Sequence, residues 1–275
     1  MLNRLVKLLI SLFYYPISNA AAVMRSITEQ KRSGTFVVLT YHSVKPRQIG
    51  IFDRQMDLLV RAGKPVLADI GSPLAEGVHH IAVTFDDGFK SFAEYALPVL
   101  HRRNIPATLF VPIGYLGKLP GWIKNPQHEN EGEILVSEDQ LRALPLDMIL
   151  IGSHSVTHSK LTSLQPEQAR MELVESKKRL EAILGREVTL FSFPYNDYND
   201  QAVEMAKQAG YSRVFSNVPT FPISKVDSFM LGRVDVSPDD WDIEYSLKLR
   251  GAYQWLPFAI AAKRKMKSLL GNISV

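Results

Sequence analysis

The chain has 275 residues, 46% of them hydrophobic and 22% charged, which suits one large domain with its own core and argues against disorder. Its formal net charge is only +4 and its basic residues are mostly interleaved with acidic ones, so nothing indicates nucleic-acid binding. The absence of cysteine excludes disulfides and thiolate metal sites, leaving histidine and carboxylates as the available metal ligands.

Arg4 and Lys7 flank a short apolar run, residues 8–17, followed by Ala20-Ala21-Ala22. This pattern fits a signal peptide with a small-residue cleavage site, or an amphipathic helix lying on a membrane. Residues 1–33 are therefore expected to be a leader or a membrane-associated segment, which places the protein at a membrane or exports it to the cell envelope. Residues 36–40 are β-branched and aromatic, as in a buried strand. Residues 52–62 carry helical spacing and stop at Gly63. Residues 81–85 read as a second strand, 91–104 as a helix broken at Pro98, and 108–111 as another strand. Residues 114–137 show no clear period and are long for a plain connection, which suggests a substrate-facing loop. Ser137-Glu138-Asp139-Gln140 looks like a capping box, and residues 148–151 form a further apolar strand. Residues 166–184 predict a long amphipathic helix ended by Gly185, and 200–208 a shorter one. Alternation of strands and helices implies a mostly parallel sheet or barrel. Residues 251–275 form a basic tail. In it Trp255-Leu256-Pro257-Phe258 precedes Lys263-Arg264-Lys265-Met266-Lys267, a composition suited to an anionic membrane surface or to a solvated terminal helix.

Two motifs carry chemistry. Thr84-Phe85-Asp86-Asp87-Gly88 ends a buried apolar strand, and Ser153-His154-Ser155-Val156-Thr157-His158 follows another. Strand ends are where α/β enzymes place their chemistry. One carboxylate and two imidazoles make a three-ligand metal site with an open position, and the second carboxylate is left free to act as a base. A His-xxx-His pair alone is a weak signal, and an Asp can instead be a helix cap. Two adjacent carboxylates at a buried strand end are costly unless they are used.

In this order, together with Ala96-Leu97-Pro98-Val99-Leu100, Pro106-Ala107-Thr108-Leu109-Phe110-Val111 and Phe191-Ser192-Phe193-Pro194-Tyr195, these motifs resemble the polysaccharide deacetylases. This is the family that shares the nodulation chitooligosaccharide deacetylase domain (carbohydrate esterase family four). The resemblance covers roughly residues 36–250, so a catalytic domain over 34–250 is expected. It implies an α/β fold, a distorted and incomplete (β/α) barrel. It also implies metal-dependent hydrolysis of N-acetyl groups on an amino-sugar glycan, either a polysaccharide or a lipid-linked sugar. Asp87, His154 and His158 would bind a divalent metal, Zn²⁺ foremost. Asp86 would be the base, and the backbone N–H of Tyr195 would help hold the oxyanion. A deformylase or O-acetyl esterase acting on a lipid-linked sugar, and a non-catalytic glycan-binding relic of the fold, are the alternatives.

The chain departs from the family pattern in three places. Ser192 stands where an arginine is frequent, so Arg233, in Leu231-Gly232-Arg233-Val234-Asp235, becomes the candidate partner of Asp86, with an ordinary surface arginine as the alternative. Asn196 replaces a usual glycine. No histidine follows His158, so the late Leu-x-x-His motif that carries the family's general acid is missing. Leu39-Thr40-Tyr41-His42 resembles that motif moved to the first strand, as in circularly permuted members such as biofilm poly-N-acetylglucosamine deacetylases. This assigns the acid role to His42, against a core histidine capping a strand. His79, His80 and His101 read as surface or packing residues, and His128 as a weak substrate contact in the long loop.

Overall fold

The structure is a computed structural model that describes residues 2–28, 34–219 and 226–262. The basic run 263–267 lies outside the described residues. Elements follow in the order α1 (Leu2–Thr28), β1 (Thr35–Tyr41), α2 (Ile49–Ala62), β2 (Lys64–Val66), β3 (His79–Phe85), α3 (Leu97–Arg102), β4 (Ala107–Val111) and α4 (Glu138–Arg142). Then come β5 (Ile149–Ser153), α5 (Pro166–Leu184), β6 (Leu190–Ser192), α6 (Asp200–Gln208), β7 (Arg213–Ser216), β8 (Met230–Gly232), β9 (Val234–Asp235) and α7 (Asp242–Leu249).

The strands pair in parallel in the order β8-β7-β6-β5-β4-β3-β1-β9, with β2 on the lower part of β3. The outermost strands, β8 and β9, are consecutive in the chain and separated by one residue, Arg233. A sheet whose two edges are joined by a single residue must curl until those edges meet. The result is a nearly closed, distorted (β/α) barrel with helices packed outside.

Side-chain parity sorts the residues. Phe36 and Val38 of β1, Ala82 of β3, Phe110 of β4, Leu190 of β6, Phe215 of β7 and Leu231 of β8 form one buried cluster, the barrel interior. The alternate positions, including Val37, Leu39, Val83, Leu109, Ile151, Phe191 and Val214, join the larger core between sheet and helices. Gly152 on β5 makes the inner packing possible, since a Cβ there would lie 2.4 Å from the Phe110 ring. The same two-residue period carries the inward set past the strand ends to Asp86, His154, Ser192 and Arg233. The sequence therefore aims these four groups at the C-terminal mouth of the barrel, where folds of this kind place their sites.

The expected helices 52–62, 166–184 and 200–208 are present, with α2 starting slightly earlier than the periodicity indicates. Gly185 closes α5 in the left-handed conformation, φ 63°. Ser137 caps α4 and accepts the backbone N–H of Gln140. The break at Pro98 resolves as a π-helical turn, Phe92–Ala96, running into α3 with the proline in its first turn. In the wider turn the Leu97 N–H donates to the Phe92 carbonyl, and Pro98 sits in the first turn of α3, where a proline is tolerated.

Candidate active site

Asp86 and Asp87 follow β3, and the alternation of side chains sends them apart. Asp87 takes a left-handed backbone, φ 67°, an uncommon conformation for a residue bearing a Cβ. Its Oδ1 lies 3.5 Å from His154 Nε2 and 3.1 Å from His158 Nε2. All three residues are buried, and their ligand atoms lie within 4.8 Å of one another. Ser155, His158, Tyr195 and Asn196 also have positive φ, so strained backbone concentrates around this cluster, as it does at functional sites.

The donor chemistry fits a divalent cation. His154 Nδ1 lies 2.8 Å from the Ser192 carbonyl, which places its proton on Nδ1 and leaves the Nε2 lone pair facing Asp87. Burial lowers the His158 pKa, against the raising effect of Asp87, which favours the neutral, ligating imidazole. Asp87 Oδ1 is buried with no hydrogen-bond partner, an orphan that a cation would satisfy. Burial acts to raise the Asp87 pKa; without a cation only protonated imidazoles would hold it below the usual carboxylate range, and a bound cation would take over that role.

Asp86 is held differently. Arg233 Nη1 donates to its Oδ1 at 2.7 Å and Nη2 to its Oδ2 at 2.6 Å, a bidentate pair with both side chains buried. Arg233 is therefore no surface arginine. Ser192 Oγ donates to Asp86 Oδ2 at 3.2 Å and accepts from Arg233 Nη2 at 2.8 Å. The small serine at 192 leaves room for the guanidinium to arrive from the barrel seam. Burial pushes the Asp86 pKa up, and Arg233 with His154 more than offsets it, so the net shift is downward. A carboxylate offers about four acceptor sites. Three are filled here, which leaves one on Oδ1 open to a proton.

Asn196 is bound into the same network. Its φ is 54°, and its Oδ1 accepts the Asn217 backbone N–H at 2.6 Å. Asn217 Oδ1 in turn accepts from Arg233 Nη2 at 2.6 Å. A glycine could take the backbone conformation but could not make this link. Tyr195, in the Pro194–Asn196 turn, is half exposed, with its ring 4.6 Å from that of His158.

His42 follows β1, where Tyr41 pairs with Phe85 and Thr40 with Asp235. It lines a 270 Å³ cleft with Ser43, Lys45, Asp235 and Pro238. Burial acts to lower its pKa, but the charges of Asp87, Asp86 and Asp235 outweigh this, and the net shift is upward. The long loop folds over the site. Val136 N donates to the Gly88 carbonyl, Ser43 Oγ donates to Asn130 Oδ1, and Lys45 pairs with Glu133. Its Trp122 stacks on His158, centroids 4.1 Å apart and 21° between planes. His128 accepts the Asn130 backbone N–H with Nδ1 and orders the loop internally. His80 is buried, and His79 contacts Thr35 Oγ1 and the Leu249 carbonyl, as packing residues do. Sequence reasoning missed Glu172 of α5, whose carboxylate accepts the N–H groups of Val156 and Thr157 and the Thr157 hydroxyl. No local pattern marks it, because its partners lie in the loop before its helix.

A sequence profile described as polysaccharide deacetylase matches residues 75–214, and the chain belongs to that family. YxkH of Bacillus subtilis (strain 168) is 29% identical over 158 residues, covering 58% of this chain and 52% of YxkH. The peptidoglycan-N-acetylmuramic acid deacetylase PdaA of Bacillus subtilis (strain 168) is 26% identical over 140 residues, 50% of this chain and 46% of PdaA. The chain thus spans about half the length of these curated relatives. The structure of IcaB from Ammonifex degensii superposes with a TM-score of 0.64 at 26% identity, covering 80% of this chain and 97% of that one.

Proposed function

We propose that the protein is a metal-dependent N-deacetylase of an amino-sugar glycan. The observation that carries this reading is the buried Asp87, His154 and His158 cluster set beside a second carboxylate clamped by Arg233. The name of PdaA, an N-acetylmuramic acid deacetylase, supports the choice of acyl group. Asp87, His154 and His158 would hold the divalent cation, zinc foremost given a nitrogen and oxygen donor set. When bound, that ion supplies Lewis-acid polarisation of an acyl carbonyl and activation of water.

The chain's own groups divide the remaining work. Asp86 accepts the proton of the attacking water at the open site on Oδ1, while Arg233 and Ser192 fix its orientation. The depressed pKa makes Asp86 a weak base but keeps it ionised across the working range. The backbone N–H of Tyr195 donates to the oxygen on which negative charge develops. His42, whose pKa the nearby carboxylates raise against the effect of burial, would deliver a proton to the departing amine nitrogen. The glycan-binding relic fares poorly here, because a fold without chemistry gains nothing from holding two buried carboxylates, one of them with an oxygen lacking any partner.

The experiment offers purified protein a panel of acetylated glycans and lipid-linked sugars and reads acetate and formate by mass, with added Zn²⁺ and with a chelator. Zinc-dependent acetate release supports the reading. Formate release alone would move it to a deformylase, and release unaffected by chelation would remove the metal.

A further inference from the structure

Helix α1 carries two different apolar faces. One faces the protein. On it Leu8 and Ser11 are buried and Tyr15 packs against the core. Arg4 Nε donates to Glu244 Oε2 at 2.6 Å and its Nη2 to the Asp239 carbonyl at 2.8 Å, while its guanidinium sits 4.3 Å over Trp241. Trp255 Nε1 donates to Ser11 Oγ at 2.9 Å. Positions 4, 8, 11 and 15 are one helical stripe. The helix is thereby docked on α7 and the segment after it.

The other stripe, at positions 6, 10, 13 and 17, is Val6, Ile10, Phe13 and Ile17, flanked by Leu5 and Leu9. All six are exposed, Phe13 at 74% and Ile17 at 72%. This row is ~17 Å long at 1.5 Å per residue. A contiguous apolar row of this kind marks an interaction surface. Among the described residues no helix is long and apolar enough to cross a membrane.

Charge identifies the partner. Residues 1–28 contain Arg4, Lys7 and Arg25 and no acidic side chain. The chain after Glu244 also contains none, while it carries Lys248, Arg250, Lys263, Arg264, Lys265 and Lys267. The two end stretches of sequence, joined through Arg4 to Glu244 and Ser11 to Trp255, thus carry basic and no acidic side chains. Arg4 and Lys248 are paired with Asp240 and Glu244 where the helix docks, and the other basic residues of the two stretches are Lys7, Arg25, Arg250, Lys263, Arg264, Lys265 and Lys267. A protein partner would not select for acid-free sequence along both ends, whereas an anionic lipid surface would.

We propose that the outer face of α1 is a membrane-docking surface that lies in the interface of an anionic bilayer. The docked face also adjoins the cleft that His42 lines. Ser237 and Pro238 line that cleft beside His42, and the next residue, Asp239, receives Arg4 through its carbonyl and Gln48 through its carboxylate. Resting on the deacetylase reading, this places the cleft next to the lipid and points to a glycan held at the membrane, such as a lipid-linked amino sugar.

The test uses the full chain in sedimentation with vesicles of phosphatidylglycerol and phosphatidylethanolamine, and with vesicles of phosphatidylcholine alone. The parent protein should pellet with the anionic vesicles, less so in high salt. The double substitution Phe13→Glu, Ile17→Glu should weaken that binding by roughly tenfold or more. Its melting temperature and hydrolysis of a soluble aryl acetate should stay unchanged, because both positions face outward. Should the double variant fail to fold, Leu9→Gln replaces it. Binding unaffected by a folded variant, or a parent that ignores anionic vesicles, overturns the proposal. A parent dimer that the variant converts to monomer, without vesicle binding, assigns the face to a second copy and also overturns it. So does a mature protein whose intact mass shows cleavage after Ala22. Vesicle binding is read without turnover, so failure of the catalytic reading and failure of this one are separate results.

Discussion

Arg233 reaches Asp86 across 147 residues of sequence and grips both oxygens of its carboxylate, at 2.7 and 2.6 Å, with neither side chain exposed by more than 2%. The guanidinium also lies 5.3 Å from the centre of the Phe110 ring, so its planar fork is fixed from above as well as from the side. Lysine, a point charge on a flexible stem, could not reproduce that geometry.

Arg233→Met should therefore strand a buried charge and destabilise the fold by about 3–5 kcal/mol at neutral pH. The sign follows from the pKa. In the parent, Asp86 titrates below its usual range, so its contribution is present above the unfolded carboxylate pKa, about 3.9, and is lost as pH falls through the lower folded value. Denaturant unfolding should show a large deficit for the variant at pH 7 that shrinks in acid. An equal deficit at both pH values would show that the loss is packing, with charge contributing nothing.

The two adjacent aspartates should fail differently. Asp87→Asn removes the charge that faces both imidazoles and should lower metal content measured on the purified protein. Asp86→Asn should retain the metal and lose turnover by roughly 10²-fold or more, as loss of a general base does. Matching metal loss in both variants would abolish the division of roles.

Rate against pH reports on His42. Asp87, Asp86 and Asp235 raise its pKa in spite of burial, and in the proposed acid role it would act while protonated, so kcat should fall as pH rises through that value. Asp235→Asn removes one of the raising charges and should move the descending limb to lower pH. His42→Ala should cripple release from an N-acetyl sugar and spare an aryl acetate, whose phenolate leaves without a proton. Loss on both substrates would instead mark a histidine that organises the site.

Glu172 offers a prediction away from the chemistry. It holds the 156–157 turn through three hydrogen bonds of 2.7–2.8 Å, and that turn sets where His158 stands. Glu172→Gln keeps the size but replaces one acceptor oxygen with a donor, so it should weaken metal affinity by about 10–100-fold, the range for outer-shell partners. A chelator-competition titration measures this, and unchanged affinity would show that the turn is rigid without Glu172.

Some of the site was legible in the sequence because its signals are local. The Asp86-Asp87-Gly88 turn and the His154 and His158 pair each sit at the end of an apolar strand, and both could be read within ten residues. Arg233 and His42 were legible only through what was missing elsewhere, an arginine before Pro194 and a late histidine. The network through Ser192, Asn196 and Asn217 was not legible, since each link joins separate strand ends and depends on the barrel's curvature. Strands β2, β8 and β9 are two or three residues long, too short for a period to show. The stacking of Trp122 on His158 arises from a loop with no period at all.

The one-residue seam between β8 and β9 has a practical consequence for where the chain can be cut. A fragment trimmed to the stretch that matches the family profile, 75–214, would keep Asp86, Asp87, His154, His158 and Tyr195 and so look complete by motif. It would lose β1 with His42, and β8, β9 and Arg233 with them. The ring would open into a sheet with two bare margins of unpaired backbone, ready to pair with another copy. Such a fragment should precipitate before it can be assayed, and its silence would say nothing about the chemistry of the whole chain.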